Sequence, residues 1–123
     1  MGSSVIFLIE ISITDLQLAK QMLKDLESKS INHPKFDLEN EDNNYMDGKL
    51  EYKRKCFQVS LRSELDEYLG NSKAGLTIGY SLNYYGHMKD IWEPIKILQE
   101  LYDELKLLFP EIEIEYYCGT FWI

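Results

Sequence analysis

A chain of 123 residues, 45% of them apolar and 28% charged, falls within the size of one domain and can build a core without disulfides or metals. Thirteen Lys and Arg face twenty-one Asp and Glu, which leaves a formal net charge of −8. That sign repels phosphate backbones, so nucleic acid is a poor partner, and residues 1–123 read as a single domain.

The first strongly apolar run, Val5 to Ile13, is nine residues long, includes Glu10 and follows no Lys or Arg. A membrane span needs roughly 20 apolar residues and a signal peptide needs a basic start, so a cytoplasmic chain with no membrane partner is expected. Val5, Phe7, Ile9, Ile11 and Ile13 recur with period two, and Ile6, Leu8, Glu10 and Ser12 alternate with them, which suits a central strand. Thr14 stands three residues before Gln17, as in a reciprocal helix cap. Leu16, Ala19, Met22, Leu23 and Leu26 then predict a helix from about Asp15 to Ser28, with Lys20, Lys24 and Glu27 outward.

Periodicity vanishes between Ser30 and Gly48, where Asp37, Glu39, Glu41, Asp42 and Asp47 crowd among Asn40, Asn43 and Asn44. With little to bury and much self-repulsion, this stretch reads as an exposed acidic loop at about 30–48, closed by an Asp47-Gly48 turn. Lys49 to Leu61 reads as one extended segment with Phe57, Val59 and Leu61 facing the core and Lys53, Arg54 and Lys55 along it. Ser63 to Leu69 suggests a short helical turn stopped by Gly70. Leu76, Ile78, Tyr80, Leu82 and Tyr84 alternate with polar positions and predict a half-buried strand.

Asp90 with Glu93 resembles a second cap, with Pro94 in the first turn. Trp92, Ile95, Leu98, Leu101, Tyr102, Leu105 and Leu108 mark one face of a helix that Pro110 ends. The last run alternates Ile112, Ile114, Tyr116 and Cys118 with Glu111, Glu113, Glu115 and Tyr117, and closes on Phe121, Trp122 and Ile123. Strand, helix, strand, strand, helix, strand is the order of an α+β, ferredoxin-like βαββαβ sandwich, an antiparallel sheet with two helices on one face and the other face open.

The motifs that would carry chemistry fail on spacing. A twelve-residue calcium loop begun at Asp37 or Asp42 puts Asp42 or Asp47 where Gly is required. Gly70, Gly75 and Gly79 are too scattered to cradle a phosphate, and no Ser lies in a Gly-x-Ser-x-Gly frame. Cys56 and Cys118 are far apart and read as buried packing residues, so neither metal nor cofactor is expected. His87 follows Tyr84, Tyr85 and Gly86 and precedes Asp90 at a strand-to-helix junction; a loop histidine without an oriented partner is the plainer reading, and His33 beside Pro34 is plainer still. Lys53, Arg54 and Lys55 are three adjacent cations in an acidic chain, too few for nucleic acid.

Aromatic content is the surplus: nine Tyr, five Phe and two Trp, with Tyr45, Tyr52, Tyr68, Tyr85, Tyr117 and Trp122 outside the helix stripes. Excess acid and exposed tyrosine favour a small binding module that neutralises or regulates a basic protein partner. Its expected contact residues are Asp37, Glu39, Glu41, Asp42, Tyr45 and Asp47, together with Glu111, Glu113, Glu115, Tyr117 and Trp122. In size, acidity and aromatic content the chain resembles the small immunity proteins that bacteria produce against toxins. That likeness is compositional and implies a toxin as the basic partner. Two other classes remain: a small-molecule sensor or enzyme with a cleft near Tyr84, Tyr85, His87 and Asp90, and an assembly module forming a homodimer through Ile6, Leu8 and the open sheet face.

Overall fold

The computed structural model of the chain describes residues 3–62, 75–83 and 88–122. In chain order these form β1 (Ser3–Ile11), α1 (Leu16–Lys29), β2 (Lys35–Asp42), β3 (Tyr45–Tyr52), β4 (Lys55–Arg62), β5 (Gly75–Asn83), α2 (Met88–Leu108) and β6 (Ile114–Trp122). The strands make one antiparallel sheet in the order β2-β3-β4-β5-β1-β6. The α+β class holds; the four-stranded ferredoxin-like order does not.

Two features of the middle third explain the difference. The acidic stretch read as a loop contains β2 and the first half of β3, with Asp42 opposite Tyr45 and the chain reversing at Asn43 and Asn44. Asp47-Gly48 is therefore not a turn: Gly48 lies inside β3, opposite Leu38 and Val59. A Cβ at Gly48 would come within 2.2 Å of the Asp37 carbonyl oxygen and 2.9 Å of the Phe36 ring, so the crossing of β2 requires glycine there. The second feature is that Lys49 to Leu61 is a hairpin and not one strand. Its reversal is at Lys53 and Arg54, whose φ angles of 48° and 69° are the paired positive values of a tight two-residue hairpin turn.

Alternation sets the layers. Phe7, Ile9, Ile11, Met46, Leu50, Tyr52, Phe57, Val59, Leu61, Leu76, Ile78 and Ile114 form one core cluster with Ala19, Met22, Leu23 and Leu26 of α1 and Leu98, Leu101 and Leu105 of α2. Each such aliphatic residue contributes about 1.5–3 kcal/mol over leaving it in water. Both helices thus cover one face, and the alternate strand positions look away from them. Helix α1 is capped by Asp15, whose carboxylate accepts the Leu18 N–H at 2.9 Å, in place of the expected Thr14. Pro94 lies inside α2 instead of in its first turn, and Trp92, expected on the buried stripe, is 71% exposed. Cys56, expected in the core, is exposed at the start of β4; for Cys118 the backbone is described and the side chain is not. The Ser63–Leu69 turn, Tyr68 and Gly70 lie outside the described residues. No helix among the described residues is long and apolar enough to cross a membrane.

Candidate functional site on the helix-free sheet face

Register partners on neighbouring strands project to the same side, so the ladder assigns each acidic residue to a face. One row across the helix-free side is Asp37, Lys49, Gln58, Gly79, Leu8 and Tyr117. The next is Asn40, Asp47, Ser60, Thr77, Glu10 and Glu115. Asp42 and Tyr45 begin a third. Residues from both halves of the chain therefore share one surface, although β2 and β6 are opposite edges of the sheet and lie about 24 Å apart at the usual strand spacing. Leu8, one of the apolar residues expected to support self-association, lies over Gly79, where a Cβ would meet its Cδ2 at 2.2 Å. The side chain of Ile6 is outside the described set.

Two side-chain hydrogen bonds on this face converge on Asp47. The Tyr45 hydroxyl donates to its Oδ2, and the Asn40 amide donates to its Oδ1 at 2.9 Å. The Tyr45 bond, with the Asn40 bond second, holds this carboxyl below the usual aspartate range and keeps it ionised. A shallow hollow beside it is lined by Glu39, Tyr45, Asp47, Lys49, Gln58 and Ser60, among others. Glu39 is the extra residue where the β2–β3 register shifts between Leu38 and Asn40, and Lys49 Nζ approaches its Oε1 at 3.8 Å.

Not every expected contact residue joins this surface. Glu41 pairs in register with the buried Met46, so it turns toward the helices, where its carboxylate meets Lys20 of α1. Glu111 and Glu113 precede β6 and are exposed. Tyr117 is 48% exposed on β6; Trp122 ends that strand, with its side chain outside the described set. Tyr84, Tyr85 and His87 lie outside the described residues, and Asp90 is in the first turn of α2 with its side chain likewise outside. Glu10 is the member of the face that sequence reasoning missed. Its place on the alternate positions of the first strand was the available signal.

Tyr52, expected at the surface, is 1% exposed and anchors a polar cluster under α2. Its hydroxyl donates to Glu104 Oε2, and Asn32 Nδ2 donates to both groups at 3.0 Å. Burial, then the neighbouring Glu104, push the Tyr52 phenol well above its ordinary range. For Glu104 burial acts upward, but bonds from Ser30, Tyr52 and Asn32 outweigh it and hold the carboxyl low. These bonds tie Glu104 of α2 to Tyr52 of β3 and to Asn32 in the chain after α1, so the cluster fastens the three segments together. Among the described residues no three His, Cys, Asp or Glu converge as a metal-ligand set.

Comparison with protein-family models, with characterised proteins and with solved structures returns no match for this chain.

Proposed function

We propose that the helix-free face docks a basic protein partner, so that the chain acts as a small acidic binding module that neutralises or regulates that partner. The observation that carries this reading is the register: Asp37, Asp47, Glu10 and Glu115 come from four strands and share a face with Tyr45 and Tyr117. Glu10 and Glu115 are directly opposed register partners, which concentrates carboxylates on the β1–β6 part of this face. Tyrosines beside the acids add amphipathic contact area at low entropic cost, and a net negative field, which Lys49 only partly offsets, speeds association with a cationic surface. A toxin is the form of basic partner that the compositional likeness to immunity proteins suggests.

The test uses charge reversal on residues that are exposed in the fold. A cationic protein that binds the wild-type chain should bind the Asp37→Lys, Glu115→Lys double variant at least about tenfold more weakly, and wild-type binding should weaken steeply as salt is raised. Binding indifferent to both changes would remove this reading.

A further inference from the structure

The two edges of the sheet differ in kind. β2 carries Lys35, Asp37, Glu39, Glu41 and Asp42 and shifts register within its length, which are the devices that stop another strand from adding. β6 is nine residues long, pairs with β1 without a register shift from Ile114 to Trp122, and holds no charged residue after Glu115. The ladder shows which of its backbone groups look outward. Ser12 N–H donates to the Glu113 carbonyl at 3.0 Å, so positions 113, 115, 117, 119 and 121 bond to β1 and positions 114, 116, 118, 120 and 122 point away from it. The Tyr102 hydroxyl reaches the Ile114 carbonyl at 3.5 Å, consistent with that parity. Cys118, Thr120 and Trp122 then present N–H and C=O groups on the side where, among the described residues, no further strand pairs.

We infer that this edge receives the β6 strand of a second copy, antiparallel and related by a two-fold axis near Cys118 to Thr120, so that two sheets join into one. Charge selects the second copy. The glutamates of the β6 region all precede Tyr116, so antiparallel copies keep Glu115 and its counterpart about 20 Å or more apart, beyond the roughly 8 Å screening length at physiological salt. A parallel copy would set them side by side, and a copy's β2 would bring its row of carboxylates against the edge. Face-to-face association would likewise oppose Asp37, Asp47, Glu10 and Glu115 to themselves, so the joint is the edge and not the open face. This inference is independent of the proposed function, because it concerns the strand edge and is read without a basic partner.

One strand pair buries less than a standard interface, so the dimer is weak and follows concentration. Sedimentation of the purified chain should show the mass rising from one copy to two between about 1 µM and about 1 mM. Thr120→Pro removes an outward N–H while leaving the β1 ladder its donors, and should hold the mass at one copy with an unchanged circular dichroism spectrum. On the wild-type chain, amide exchange at Cys118 and Thr120 should slow as concentration rises, while Tyr117 and Gly119 stay protected throughout. That measurement decides the matter if the proline variant does not fold. A single-copy mass at every concentration, a dimer that Thr120→Pro leaves intact, or exchange at Cys118 and Thr120 that ignores concentration would overturn the inference.

Discussion

Glu104 shows how much a single side chain depends on its surroundings. Its carboxylate accepts bonds from Tyr52 and Asn32 where helix α2 crosses β3, and these with Ser30 hold its folded pKa below the ordinary 4.5. A depressed carboxylate pKa means that the ionised form is bound more tightly in the folded chain than in the unfolded one. Its contribution is therefore complete above the ordinary value and is lost as pH falls through the lower folded value. Urea unfolding of the Glu104→Gln variant should show lower stability than wild type at pH 7 and a gap that narrows as pH falls from about 5 toward 3. A gap independent of pH would refute the assignment. Tyr52 works in the opposite direction: its raised phenol pKa favours the folded state until alkali ionises the unfolded chain. None of this was legible beforehand, because Tyr52 and Glu104 are 52 residues apart and one tyrosine in a polar segment carries no mark of burial.

Among the elements, the helices and the strands with one clean apolar face could be read directly. β1 and β5 declare themselves through alternation, and α1 through apolar residues three and four apart. β2 could not be read, since an edge strand with seven of eight positions exposed has no periodicity to detect. The β3–β4 turn was equally hidden, because Lys53 and Arg54 occupy positive φ where Asn-Gly is the usual signal. Their cost is partly offset by the contact of Lys53 Nζ with Glu100 at 2.8 Å and by its position over the Tyr52 ring. Among the described residues Arg54 makes no such contact, so Arg54→Gly should raise unfolding stability by about 0.5–1 kcal/mol in a denaturant titration. A loss of stability would show that the Arg54 side chain contributes more than its backbone strain costs.

At the scale of the whole molecule the net charge of −8 opposes compactness, and the four ion pairs described, at Lys20, Lys49, Lys53 and Lys55, are all partly exposed. Exposed pairs contribute about 0–1 kcal/mol each, so screening should relieve more repulsion than it removes attraction. The melting temperature should rise by a few degrees between about 0.01 M and about 0.3 M salt; a fall would show that the ion pairs dominate. The acidic balance, the α+β class and the apolar faces of the helices were determined by the sequence alone, because they follow from counts and from periods of two and about 3.6. The six-stranded order, the reversals at Asn43-Asn44 and Lys53-Arg54, and the gathering of Asp37, Asp47, Glu10 and Glu115 on one face were decided by the tertiary structure. Register between strands far apart in the chain is a property of pairs, set by which hydrogen bonds close, and no local pattern of residues contains it.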